Sequence, residues 1–91
     1  MQPAQLEGTL ASLEAVADYV HAAAQEAGLD KKAAYKLHLA VDEVATNIIT
    51  HAYEEKGVKG FINLLTENDG KSLKIVLEDS SKVLVLEFVR H

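Results

Sequence analysis

The sequence predicts an α+β fold: a two-layer sandwich with helices on one face of a small, mixed but mostly antiparallel sheet. Three observations carry that prediction. Apolar residues recur at three-and-four spacing over residues 13–24 and again over 34–52. From Phe61 onward the period changes to two. Glycine, aspartate and serine punctuate the changeovers, and helices followed by a run of strands define the α+β class. With 91 residues, the chain supports one domain, spanning 1–91.

The elements follow in order. Gln5 to Leu10 reads as a short edge strand. Ser12 is placed to cap a helix through its hydroxyl, because a serine oxygen there accepts a free backbone N–H two or three residues on. Leu13, Val16, Ala17, Val20, Ala23 and Ala24 give that helix its buried stripe, and Gly28 ends it in a left-handed conformation. Asp30 caps a second helix running from Lys31 to about Tyr53, with Ala34, Leu37, Val41, Val44, Ala45, Ile48 and Ala52 facing inward. Its length is about six turns at 3.6 residues per turn. EEKGVKG breaks the pattern.

FINLLTEN and SLKIVLED then form a hairpin across Asp69-Gly70, a pair suited to the positive φ angles of a tight turn. KVLVLEFV supplies a third strand of the run. Its nearly unbroken apolar character predicts a strand covered on both faces or set at the centre of the sheet.

Composition narrows the function. A net charge of −5 and a pI near 5.2 oppose general nucleic-acid binding, which needs a basic surface. The absence of cysteine removes disulfides, thiolate catalysis and cysteine-ligated zinc. No apolar run reaches the length of a membrane span, and MQPAQLEGTL lacks the basic start and apolar stretch of a secretory signal. A cytoplasmic setting is the expectation.

The candidate site lies in LAVDEVATNIITHAY, residues 39–53, where Glu43, Asn47 and His51 interrupt the helix at steps of four. At about 100° per residue these steps drift by only about 40°, so the three side chains form one stripe. The stripe centres roughly 130° from the apolar one. Spacing alone reads as a solvated polar flank. The residue types also suit a metal–phosphate site. An asparagine oxygen is a hard neutral ligand for magnesium. A glutamate one turn earlier can orient a hydroxyl toward phosphorus. A histidine one turn later can donate to a phosphate or ribose oxygen. Zinc fits less well, because the i, i+4 spacing offers one imidazole only. No serine sits in a nucleophile turn.

The stretch LHLAVDEVATNIITHAYEE, Leu37 to Glu55, resembles the N-box of the GHKL (Bergerat-fold) ATPases. It is most similar to the bacterial anti-sigma-factor serine kinases, whose N-box reads E-x-x-x-N-x-x-x-H-[AG]-Y. Glu43, Asn47, His51, Ala52 and Tyr53 fill every fixed position, and the resemblance covers about residues 10–79. It implies ATP and magnesium as cofactors, with Asn47 on the magnesium, Glu43 assisting phosphoryl transfer, and His51 near the phosphates or ribose. It implies that Asp79, ending LKIVLED, contacts the adenine amino group; read by itself, Asp79 is equally a turn residue after a strand.

The partners implied are a sigma factor and an antagonist protein phosphorylated on serine; separately, the apolar last strand without a covering helix predicts a homodimer or partner complex. The chain departs from the family pattern beyond Asp79. Ser81 stands where the family has glycine, and only Ser80 to Lys82 separate Asp79 from the last strand. The ATP lid and glycine-rich box are missing, which reads either as a lidless variant or as a chain shortened by a mobile segment. Three functions therefore compete: an ATP-dependent serine kinase, a lidless non-catalytic protein-binding module, and a structural dimer.

Overall fold

The computed structural model describes residues 1–54, 57, 59–79 and 82–89. Ser80 and Ser81 lie outside the described residues, as do the side chains of Ala52 and Tyr53. Strand β1 (Ala4–Glu7) leads through a 3₁₀ turn (Leu10–Ser12) into α1 (Leu13–Glu26). Helix α2 (Lys31–Ile48) runs on into a π-helical segment (Ile49–Glu54), and β2 (Phe61–Asn68), β3 (Ser72–Glu78) and β4 (Val83–Val89) follow. The strand order is β1-β2-β3-β4, and every pairing among the described residues is antiparallel. Two helices packed on one face of this sheet make the expected α+β sandwich.

The core forms where the helical and strand periods meet. Val16, Tyr19 and Val20 of α1 pack with Leu37, Val41, Ala45 and Ile48 of α2 and with Ile49 beyond it. Against them lie Ile62 and Leu64 of β2 and Leu73, Ile75 and Leu77 of β3. The alternation in β2 and β3 is the signature of a sheet buried on one side. Tyr19 donates its hydroxyl to the Gln2 carbonyl at 3.2 Å, so the one buried phenol of α1 has a partner.

The helix ends match the sequence in two places and differ in one. Gly28, at φ 76°, lets its N–H reach the Gln25 carbonyl while the Leu29 N–H reaches that of Ala24, each at 3.0 Å. That double bond is the Schellman closure, which needs a left-handed residue. Asp30 accepts the Ala33 N–H at 2.8 Å and caps α2. Ser12 does not cap α1. A 3₁₀ turn precedes it, its own backbone is already helical, and its hydroxyl faces that of Thr9 at 3.3 Å.

The β2–β3 turn also differs in mechanism. The register leaves Gly70 and Lys71 as the loop, and of the two only Gly70 has positive φ, at 85°. This is the sign pattern of a type II′ turn. Asp69 contributes its carboxylate instead. Oδ1 accepts the N–H of Ser72 at 2.8 Å and of Lys71 at 2.9 Å.

Strand β4 corrects the sequence reading outright. It is neither central nor covered on both faces. It is an edge strand, paired among the described residues to β3 alone, and Val83, Leu84, Val85 and Val89 are exposed. Two helices are enough to cover β2 and β3, and α2 reaches β4 only at its margin.

The N–H of Ser72, and after it that of Lys71, hold the Asp69 carboxyl below its ordinary value of 3.8. A carboxyl depressed in the fold stabilises fully above its unfolded pKa and loses that contribution as pH falls through the folded value. Asp69→Asn should therefore be less stable than wild type at pH 7. The gap should narrow at pH values well below about 4, where the unfolded carboxyl is protonated. Urea unfolding of both proteins at the two pH values checks this; an unchanged gap would remove the carboxylate from the account.

Candidate functional site

Asp30 fixes where α2 begins, and the burial of Leu37, Val41, Ala45 and Ile48 fixes its rotation. These two constraints set the direction of the polar flank. His38 lies beside His21 of α1, Nε2 to Nδ1 at 2.9 Å, and so marks the side of α2 that faces α1. Asn47 stands nine residues later, about half a turn away in projection at 100° per residue. Glu43 lies one turn before Asn47, and both are exposed. They therefore point away from α1.

Across the sheet, α1 meets β1 and α2 meets β4. The flank bearing Glu43 and Asn47 thus borders the bare end of the sheet. Its floor there is the helix-facing row of β4. Leu84, Leu86 and Phe88 pair with Leu77, Ile75 and Leu73 of β3. Leu77 is fully buried, while Leu84 is 37% exposed. The inner row of β4 is thus an open apolar shelf at the edge of the sheet.

Asp79 stands at one end of that floor. It follows β3 on the same row as Leu73, Ile75 and Leu77, and it is buried. Its N–H donates to the Lys82 carbonyl at 2.9 Å, and its Oδ1 accepts the Lys82 N–H at 2.6 Å. The turn role considered for this residue is present. Glu43 and Asn47 are exposed on α2, whereas Asp79 is buried beyond the end of β3. His51 is exposed but lies in the π-helical segment, whose wider winding takes it off the straight line that steps of four would give in an α-helix. π-Helical turns within helices gather at functional sites, and no spacing rule in the sequence signals this one.

A cavity of about 310 Å³ opens elsewhere, lined by Pro3, Gln5, Asn63, Leu65, Val76 and Glu78 among others; none of the sequence-predicted site residues lines it. Among the described residues no helix is long and apolar enough to cross a membrane.

Comparison with known families identifies the class of this sandwich. Residues 6–85 match the histidine kinase-like ATPase domain. The chain belongs to that family, whose membership implies ATP binding. Neither the curated proteins nor the solved structures contain a significant match.

Exposed side chains with no packing duty should be replaceable without loss of stability. Asn47→Ala and Glu43→Ala are each expected within about 0.5 kcal/mol of wild type, whereas Ile49→Ala, in the core, should lose about 2–5 kcal/mol. Urea midpoints for the three variants decide the matter. A loss at Asn47 comparable to that at Ile49 would give the stripe a structural role.

Proposed function

We propose that the chain binds ATP with magnesium on the shelf between α2 and β4, and passes the γ-phosphoryl group to a serine of a partner protein. The observation that carries this reading is the family match over residues 6–85, with Glu43 and Asn47 both exposed on the N-box helix and the apolar inner row of β4 left partly bare at the sheet's edge. An adenine ring suits the floor of Leu84, Leu86 and Phe88, and its amino group suits the Asp79 carboxylate at the floor's end.

Asn47 suits magnesium. A single amide oxygen suits an ion held mainly by phosphates and water. When bound, the ion would neutralise charge on the β- and γ-phosphates. Glu43 takes the proton of the serine hydroxyl as the new O–P bond forms, and the bond from the γ-phosphorus to the bridging oxygen breaks, leaving ADP. In the anti-sigma-factor kinases that the N-box resembles, this serine belongs to an antagonist protein and the kinase also holds a sigma factor.

A second reading, a non-catalytic binding module, is favoured by β4 and by the short span of sequence, Ser80 to Lys82, between Asp79 and that strand. That span leaves no segment to fold over a triphosphate, and β4 offers an unpaired apolar edge of the kind that recruits another chain. A homodimer through β4 is the simplest such assembly. Light scattering across a concentration series should then show a dimer that Val85→Lys returns to monomer. A wild-type chain monomeric throughout would oppose this reading.

Calorimetric titration with ATP and magnesium tests the first. Binding is expected, with at least about tenfold weaker affinity, about 1.4 kcal/mol, in Asn47→Ala. Glu43→Gln should keep affinity while losing about 10²–10⁴-fold in phosphoryl transfer to a serine protein substrate. No heat with either ATP or ADP would refute nucleotide binding by this chain. Binding without transfer would leave the module reading in place.

A further inference from the structure

On the flank of α2 opposite Asn47, two imidazoles from different helices meet. His21 Nε2 of α1 and His38 Nδ1 of α2 are 2.9 Å apart, with ring centroids 4.8 Å apart and planes at 82°. The contact plays no part in the nucleotide shelf. We propose that His21 and His38 form a chelating site for a tetragonal divalent cation of the copper(II) or nickel(II) type, which would clamp α1 to α2.

Distance is the first argument. Imidazole nitrogens bind such metals at about 2.0–2.1 Å, so two nitrogens in neighbouring positions of a square centre stand about 2.8–3.0 Å apart. The observed 2.9 Å is the length of a hydrogen bond between the two rings; a shared metal would replace that bond, with the rings and not the helices moving to accept it. A tetrahedral centre needs about 3.3–3.4 Å by the same bond lengths, within reach of the same ring turns, so the preference for copper(II) over zinc rests on its stronger binding by nitrogen ligands. To share a metal, each ring turns by roughly 45° about its Cβ–Cγ bond, a soft torsion for histidine. His21 is exposed and His38 half-buried, so both have room to turn and water can fill the remaining positions.

The second argument is rigidity. Both ligands stand inside helices, of 14 and 18 residues, joined by a short link. The link is fixed at one end by the Gly28 closure and at the other by the Asp30 cap. The nitrogen separation is therefore set by the fold and not by a loop. The donor set is the third. Two neutral imidazoles favour late first-row ions over magnesium, which prefers oxygen. Among the described residues no third histidine or acidic side chain completes a cage, so the site has two protein ligands and open water positions.

Untagged full-length chain, titrated with copper(II) or nickel(II) chloride and followed by thermal unfolding, tests the proposal. At a concentration ten times the dissociation constant, binding to the folded state alone raises the folded-to-unfolded ratio about 11-fold, an upward shift of roughly 5–10 °C for a domain of this size. Magnesium chloride should give none. His21→Ala and His38→Ala should each abolish the shift, while His51→Ala should keep it. Paramagnetic broadening of histidine ring signals in the wild-type chain gives a readout that needs no variant: His21 and His38 should broaden first. A shift that survives in the His21→Ala, His38→Ala double variant, or first broadening at His51, would overturn the proposal. So would no saturable binding at millimolar metal.

Discussion

The apolar rows Ile62–Leu64 and Leu73–Ile75–Leu77 can leave water only if both helices lie across them, and the rest of the molecule is arranged by that requirement. A sheet's side chains alternate, so burying these rows turns Asn63, Leu65, Lys74 and Val76 to the opposite face. The helices in turn must present Val16 and Val20, and Leu37, Val41, Ala45 and Ile48, to the sheet. Once α2 is rotated to do so, Glu43 and Asn47 have no freedom of direction. The shelf is a consequence of the core. Two helices span the inner two strands, and the next strand over is left with an open apolar face beside α2's polar flank.

The two hairpins on the β3 side share one device. At each, an aspartate after the last ladder pair donates its N–H to the carbonyl three residues on and takes that residue's N–H on Oδ1. The carboxylate does what the aspartate's own carbonyl does in an ordinary turn. Asp69 and Asp79 are thus chemically alike locally and differ only in surroundings. Asp69 is on an exposed tip beside Lys71, while Asp79 is buried at the end of the shelf. A shared turn role means that a strand-ending aspartate is no sign of a ligand site by itself. The neighbouring shelf is what sets Asp79 apart.

How much of this was legible in the sequence depended on the range of the interaction. Gly28 and Asp30 act on backbone groups within a few residues, and both were readable. Ser12 failed because its capping role depends on the backbone before it, where a 3₁₀ turn had already bent the chain into helical geometry. At Asp69-Gly70 the residue types announced a turn but not which of the two carries positive φ. The N-box spacing made Glu43 and Asn47 visible as a stripe. Where the stripe points depended on α1 and β4, elements separated from it by dozens of residues. The meeting of His21 and His38 was invisible for the same reason, since 17 residues and a helix reversal lie between them.

Strand β4 shows where a rule of pattern gives way to topology. An unbroken apolar run signals a strand covered on both faces because isolated chains seldom expose such a surface. Here the run occupies an edge, and its outward face adds Val83, Val85 and Val89 to the exposed Leu65. The Lys74–Glu87 pair on that face, at 3.9 Å and well exposed, adds little to stability. A strand of this composition therefore gains more from contact with something else than from its own domain. A nucleotide base on the inner face would relieve part of that exposure without reaching the outer face or the backbone edge, whereas a second polypeptide would cover both; the two proposed readings therefore place compatible demands on one strand.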